Sequence, residues 1–191
     1  MEVLSTHSRA HVVLFVAEES ARYDEPRPAI YLDTTIVSYL TARLSRQISI
    51  ARRQRITRIW WSRYRHRHTL WVSPIVANEA EAGNAASATA RLDVIAGVDI
   101  LPSDPPSSHL AEKLVGGGRL PEKARTDAAH IAIAATNSVP LLLTWNCKHL
   151  ANPIIQRKIV RVCEAEGFRC PEICTPEYLM RTYTHARPTH R

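Results

Sequence analysis

The feature that most constrains this chain is a set of short apolar runs that do not alternate. Ala29-Ile30-Tyr31-Leu32 and Leu141-Leu142-Leu143-Thr144-Trp145 offer almost no polar side chain on either side of an extended backbone. A strand with one wet face alternates apolar and polar residues, whereas a strand covered on both faces has no reason to. Both runs therefore read as strands of a parallel sheet sandwiched between helices. Thr69-Leu70-Trp71-Val72-Ser73, Val98-Asp99-Ile100-Leu101 and Glu172-Ile173-Cys174 read as three more strands.

Helical segments lie between them. Thr34 and Thr35 lead into apolar residues at helical spacing. Pro74 opens a helix that carries Glu79 and Glu81 and stops near Gly83. Further helices are expected over Ala85 to Ala96, over His109 to Leu114 with Ser107 or Ser108 as cap, from about Thr126 to Asn137, from about Pro153 to Glu166, and from Pro176 onward. Strands alternating with helices predict a three-layer α/β/α sandwich with a mainly parallel central sheet. A chain of 191 residues suits one such domain, here residues 29–180. Residues 1–28, broken by Pro26 and Pro28, read as a weakly ordered extension, and 181–191 as a tail.

No apolar run approaches the roughly 20 residues that cross a bilayer, so the expected compartment is the cytoplasm and no membrane partner is expected. Four cysteines without zinc-ligand spacing read as free thiols. The formal charge is +7, which suits a polyanionic partner such as RNA. Much of that charge lies between Arg43 and His68. There Ile48, Ile56, Ile59 and Trp60 recur at amphipathic spacing and predict the buried face of a helix, with arginines on the other. Arg52, Arg53 and Arg55, together with Lys148 near the end of the fourth strand, are the candidate RNA contacts.

Carboxylates supply the candidate chemistry. Asp33 directly follows a buried strand, where it can serve as a helix cap or as a site residue. Asp127 sits in the first turn of a helix apolar nearly all round, so its charge needs a solvated mouth or a partner; Thr126 is available to cap that helix. Glu79 lies three and four positions after Val76 and Ile75, on the inward face, which leaves Glu81 to solvent. Three carboxylates at one strand-end cleft repel one another unless a cation neutralises them. Magnesium, with its preference for hard oxygen ligands, is the expected ion, and manganese its substitute. Such a site hydrolyses phosphodiesters.

Four segments in order, Ile30-Tyr31-Leu32-Asp33-Thr34-Thr35, Ser73-Pro74-Ile75-Val76-Ala77-Asn78-Glu79, Asp127-Ala128-Ala129-His130-Ile131-Ala132 and Leu143-Thr144-Trp145-Asn146-Cys147-Lys148-His149-Leu150, resemble those of PIN-domain nucleases, and within that family the VapC toxins of bacterial toxin–antitoxin modules. The resemblance spans roughly Ile30 to Met180. It implies a magnesium-dependent endoribonuclease whose catalytic, metal-binding acids are Asp33, Glu79 and Asp127, with Thr35 supporting the site through its hydroxyl. It also implies a homodimer and a cognate antitoxin protein as partner. Asn146 stands where the family often has a fourth acid, a departure that points to a single resting magnesium. That departure leaves open a catalytically weak or inactive RNA-binding or regulatory module, and a third reading is an RNA-processing nuclease without an antitoxin.

Overall fold

A computed structural model of the chain describes residues 27–116, 120–146, 150 and 152–185. Apart from Arg27 and Pro28, the expected N-terminal extension lies outside the described residues, as does Lys148. Five strands form one sheet: β1 (Ala29–Leu32), β2 (Thr69–Val72), β3 (Asp99–Ile100), β4 (Leu141–Leu143) and β5 (Glu172–Cys174). All neighbouring pairs are parallel, in the order β3-β2-β1-β4-β5. The helices are α1 (Thr34–Thr41), α2 (Ile48–Arg63), α3 (Pro74–Glu81), α4 (Ala85–Ile95), α5 (Pro105–Gly116), α6 (Arg125–Thr136), α7 (Pro153–Ala165) and α8 (Pro176–His185).

The strand order dictates the layers. From β1 the chain steps outward to β2 and β3, then returns across the sheet to β4 and steps outward the other way to β5. Parallel crossovers are right-handed, so reversing the direction of travel moves the connecting helices to the opposite face. Accordingly α1, α2, α3 and α4 pack among themselves, with α8 against α2, while α5, α6 and α7 form the other layer. This is the three-layer α/β/α arrangement that the non-alternating strands predict. Ile30, Tyr31, Leu32, Leu142 and Leu143 are fully buried between the layers.

Burial exposes one error of the sequence reading. Of the expected stripe Trp60 is buried and Ile56 half-buried, but the inward face is completed by Ala51, Gln54 and Thr57 and not by Ile48 and Ile59. Ile48 is 86% exposed and Ile59 44% exposed. Gln54 is buried because it replaces solvent for two backbone groups: Oε1 accepts from Ser45 N–H at 2.8 Å and Nε2 donates to the Arg43 carbonyl at 3.0 Å. Thr57 Oγ1 accepts from Trp145 Nε1 at 2.7 Å and donates to the Arg53 carbonyl at 2.8 Å. Satisfied polar groups of this kind are cheap to bury. The displaced isoleucines line an open groove of about 670 Å³ between α2 and α8, with Tyr64 and Met180.

Two caps also differ from expectation. Helix α5 starts at Pro105, not near His109, because Asp104 and Ser107 cap each other: Ser107 N–H donates to Asp104 Oδ1 and Asp104 N–H to Ser107 Oγ, both at 3.0 Å. Helix α6 begins at Arg125 as the continuation of a 3-10 turn over Glu122–Ala124, so Thr126 is inside the helix and is not its cap.

Candidate active site

Strand register assembles the site. Tyr31 pairs with Trp71 and with Leu142, and Leu32 with Leu143. One or two steps further, Asp33, Ser73 and Thr144 emerge side by side at the carboxyl edge of three neighbouring strands. Backbone pairing continues to this edge, where Asp33 N–H donates to the Leu143 carbonyl at 3.1 Å. The sheet reverses its winding between β1 and β4, and an open α/β sheet presents its binding crevice at such a switch.

Asp33 is both cap and site residue. Its Oδ1 accepts from Thr35 N–H at 2.6 Å, starting α1, and the side chain is buried. The Thr35 hydroxyl faces the neighbouring turn and accepts from Trp145 N–H at 2.9 Å. It thereby ties the ends of β1 and β4 together. Asn146, on the same turn, donates its backbone N–H to Thr144 Oγ1 at 2.9 Å and its Nδ2 to Asp127 Oδ1 at 2.8 Å. The amide thus holds the first-turn carboxylate of α6 against the end of β4.

Glu79 takes the inward register on α3. Thr34 Oγ1 donates to Oε2 in a short hydrogen bond, and His130 Nε2 lies 3.2 Å from the same oxygen. The His130 contact, followed by that of Thr34, holds the Glu79 carboxyl below the usual carboxylate range against the opposing effect of burial. Glu81 is exposed. His130 is buried in α6, with Nδ1 2.7 Å from Tyr31 Oη, which lies 2.6 Å from Ser73 Oγ. Burial opposes charge on that ring, yet the Glu79 hydrogen bond and the nearby charges of Asp33, Glu79 and Asp127 outweigh it and raise His130 above the ordinary histidine value. Burial pushes the Tyr31 hydroxyl far up, so it stays protonated.

All four expected residues, Asp33, Glu79, Asp127 and Asn146, therefore stand at this edge, linked through His130, Thr34 and Thr35. Sequence reasoning missed Thr34, Tyr31 and Ser73. The signal for Tyr31 was present: a tyrosine within an otherwise aliphatic buried strand needs a polar partner for its hydroxyl.

The donor chemistry here is oxygen-rich and anionic, as a hard divalent cation requires. Among the described residues, no three His, Cys, Asp or Glu side chains stand close enough together to hold a metal ion. Magnesium does not need such a cage, because it is commonly bound by one or two carboxylates and keeps several of its waters. The set fits that mode of binding and not a dry, many-ligand one.

The candidate RNA contacts separate. Arg53 lies over the Trp145 ring, 5.6 Å from its centroid, beside the turn that carries Asn146. Arg52 and Arg55 line the α2–α8 groove, and Arg52 pairs with Glu177 at 2.6 Å.

No protein-family model matches this chain, and no curated protein does either. Among solved structures it is similar to one described as VapBC2 from Rickettsia felis bound to a DNA fragment from their promoter, at 14% identity and a TM-score of 0.46, over 77% of this chain and 98% of the matched chain. At that level of likeness, function has to be argued from the site. Among the described residues no helix is long and apolar enough to cross a membrane.

Proposed function

We propose that the chain is a metal-dependent endoribonuclease, acting as the toxin of a toxin–antitoxin module, with Asp33, Glu79 and Asp127 as its cation-binding acids. The observation that carries this reading is the gathering of these carboxylates, with Asn146, at the switch point of a parallel sheet. The toxin assignment and the antitoxin and homodimer partners come from the sequence resemblance to VapC toxins. The surplus of basic residues supplies the attraction for a phosphodiester backbone.

A bound magnesium ion would supply Lewis-acid charge and a water of lowered pKa. The protein's own groups do the rest. One or two of Asp33, Glu79 and Asp127 would hold the cation directly, and the remaining acid would accept hydrogen bonds from its waters. Asn146 Nδ2 orients Asp127, while Thr34 and His130 orient Glu79. Thr35 fixes the β4 turn on which Asn146 sits. Arg53, next to that turn, is placed to receive a phosphate of the incoming strand.

Purified protein incubated with single-stranded RNA and magnesium is expected to cut it. D33A and D127A are each expected to lower the rate at least about a hundredfold, since even residues supporting a metal ligand are worth 10–100-fold. Undiminished cleavage by either variant would show that the acids are not the active site. Growth arrest on expression, relieved by the product of a small adjacent reading frame, tests the toxin role separately.

A further inference from the structure

Glu79 is gripped by one oxygen only. Thr34 Oγ1 and His130 Nε2 both approach Oε2, and Oε1 takes no hydrogen bond among the described residues. The side chain is 39% exposed, whereas that of His130 is 2% exposed. Behind the ring, Tyr31 and Ser73 are fully buried. The chain of contacts Ser73–Tyr31–His130–Glu79 thus runs from the dry interior and ends on one oxygen of a part-exposed carboxylate.

We propose that Ser73, Tyr31 and His130 form a positioning relay that fixes the Glu79 carboxylate so that Oε1 is presented to a divalent cation. The proposal rests on the reading of Glu79 as a cation-binding acid given above.

Donor counting supports a continuous relay. An ionised carboxylate only accepts, so the hydrogen between His130 and Glu79 is on Nε2. Tyr31 Oη, which can donate once and also accept, bridges His130 Nδ1 and Ser73 Oγ whichever of them supplies the second hydrogen. Each member fixes the next, and the three come from different elements: the start of α3, the middle of β1 and the first turns of α6. Packing alone does not call for this. Phenylalanine at 31 and leucine at 130 would fill the same volumes without burying polar atoms, which are costly inside a core. Polar groups kept in such a place, and leading to a half-exposed carboxylate, match the way ligand side chains are oriented in metal sites by partners behind them.

The test is calorimetric titration of Mn2+ into the full chain, for wild type, H130L, H130Q and Y31F, with a thermal melt of each. H130L removes the donor and is expected to weaken Mn2+ binding roughly ten- to a hundredfold. H130Q keeps an N–H able to reach Oε2 and is expected to stay within about threefold of wild type. Y31F deletes a single oxygen atom and keeps the test open if H130L does not fold; it is expected to weaken binding about threefold or more. Mn2+ binding unchanged in H130L and Y31F overturns the proposal, as does an H130Q that falls as far as H130L, because shape and not the donor would then matter. A wild type that binds no Mn2+ also overturns it. A wild type that binds Mn2+ with these differences but cuts no RNA supports the relay and refutes the nuclease reading.

Discussion

Asn146 shows how much one side chain can decide at the residue scale. Its amide donates to Asp127 Oδ1 at 2.8 Å, so the position that would complete an acidic quartet instead quiets one of its members. Aspartate at 146 would place two carboxylates within hydrogen-bond distance, an arrangement that demands a proton or a cation. N146D is therefore expected to be less stable than wild type in chelator, by on the order of 1–3 kcal/mol, and to recover on adding magnesium. Thermal melts with and without the ion check this, and a variant indifferent to magnesium would place the cation elsewhere. At this scale, the placement of Asp33 and Asp127 was legible because one follows a strand end and the other lies in the first turn of a buried helix. The grip on Glu79 was not, because Thr34 and His130 reach it from 45 and 51 residues away, and no local pattern records that distance.

At the scale of elements, α2 carries the clearest lesson. Periodicity of apolar residues names Ile48 and Ile59 as core, yet the helix buries Gln54 and Thr57 instead. Their partners, the Arg43 and Ser45 backbone and the Trp145 indole, are invisible until the chain is folded, so hydrophobicity alone placed Trp60 rightly and Ile48 and Ile59 wrongly. Two substitutions make the contrast measurable. T57V leaves the Trp145 N–H without an acceptor and is expected to cost about 1–3 kcal/mol, whereas I48S is expected to stay within about 0.5 kcal/mol of wild type; denaturant unfolding reports both. Helix α8 is pinned by a second device. Tyr183 O–H donates to His68 Nε2 at 2.6 Å, and His68 Nδ1–H points to the Tyr64 carbonyl at 3.3 Å. Burial depresses the His68 pKa against that backbone contact, with Arg67 and His66 adding to the depression. As the pH drops below about 6.5, the unfolded chain takes up a proton that the folded protein refuses, so this residue makes stability fall with acidification until its lower folded value is passed; above that range it adds no slope. The loss of stability between about pH 7.5 and 5.5 should therefore be smaller in H68Q than in wild type. An equal loss in both would remove His68 from the account.

For the whole molecule, the position of the site follows from one topological fact. A parallel sheet that winds outward in both directions from its centre must leave a crevice where the direction changes, and this chain puts Asp33 and Asn146 on the two sides of that crevice. The layered fold was legible because continuous apolar strands separated by helices admit few other arrangements. The order of the strands was not written in any local segment; it depends on the long return from β3 to β4, which the packing of α5, α6 and α7 on the second face determines. The central claim is that these strand ends together make a cation site. Titration of Mn2+ into isotopically labelled protein, read by paramagnetic broadening of backbone amide resonances, tests it most directly. Broadening centred on residues 33–35, 76–79, 127–130 and 144–146 is the expected result. Broadening centred anywhere else, or none at all, would contradict it.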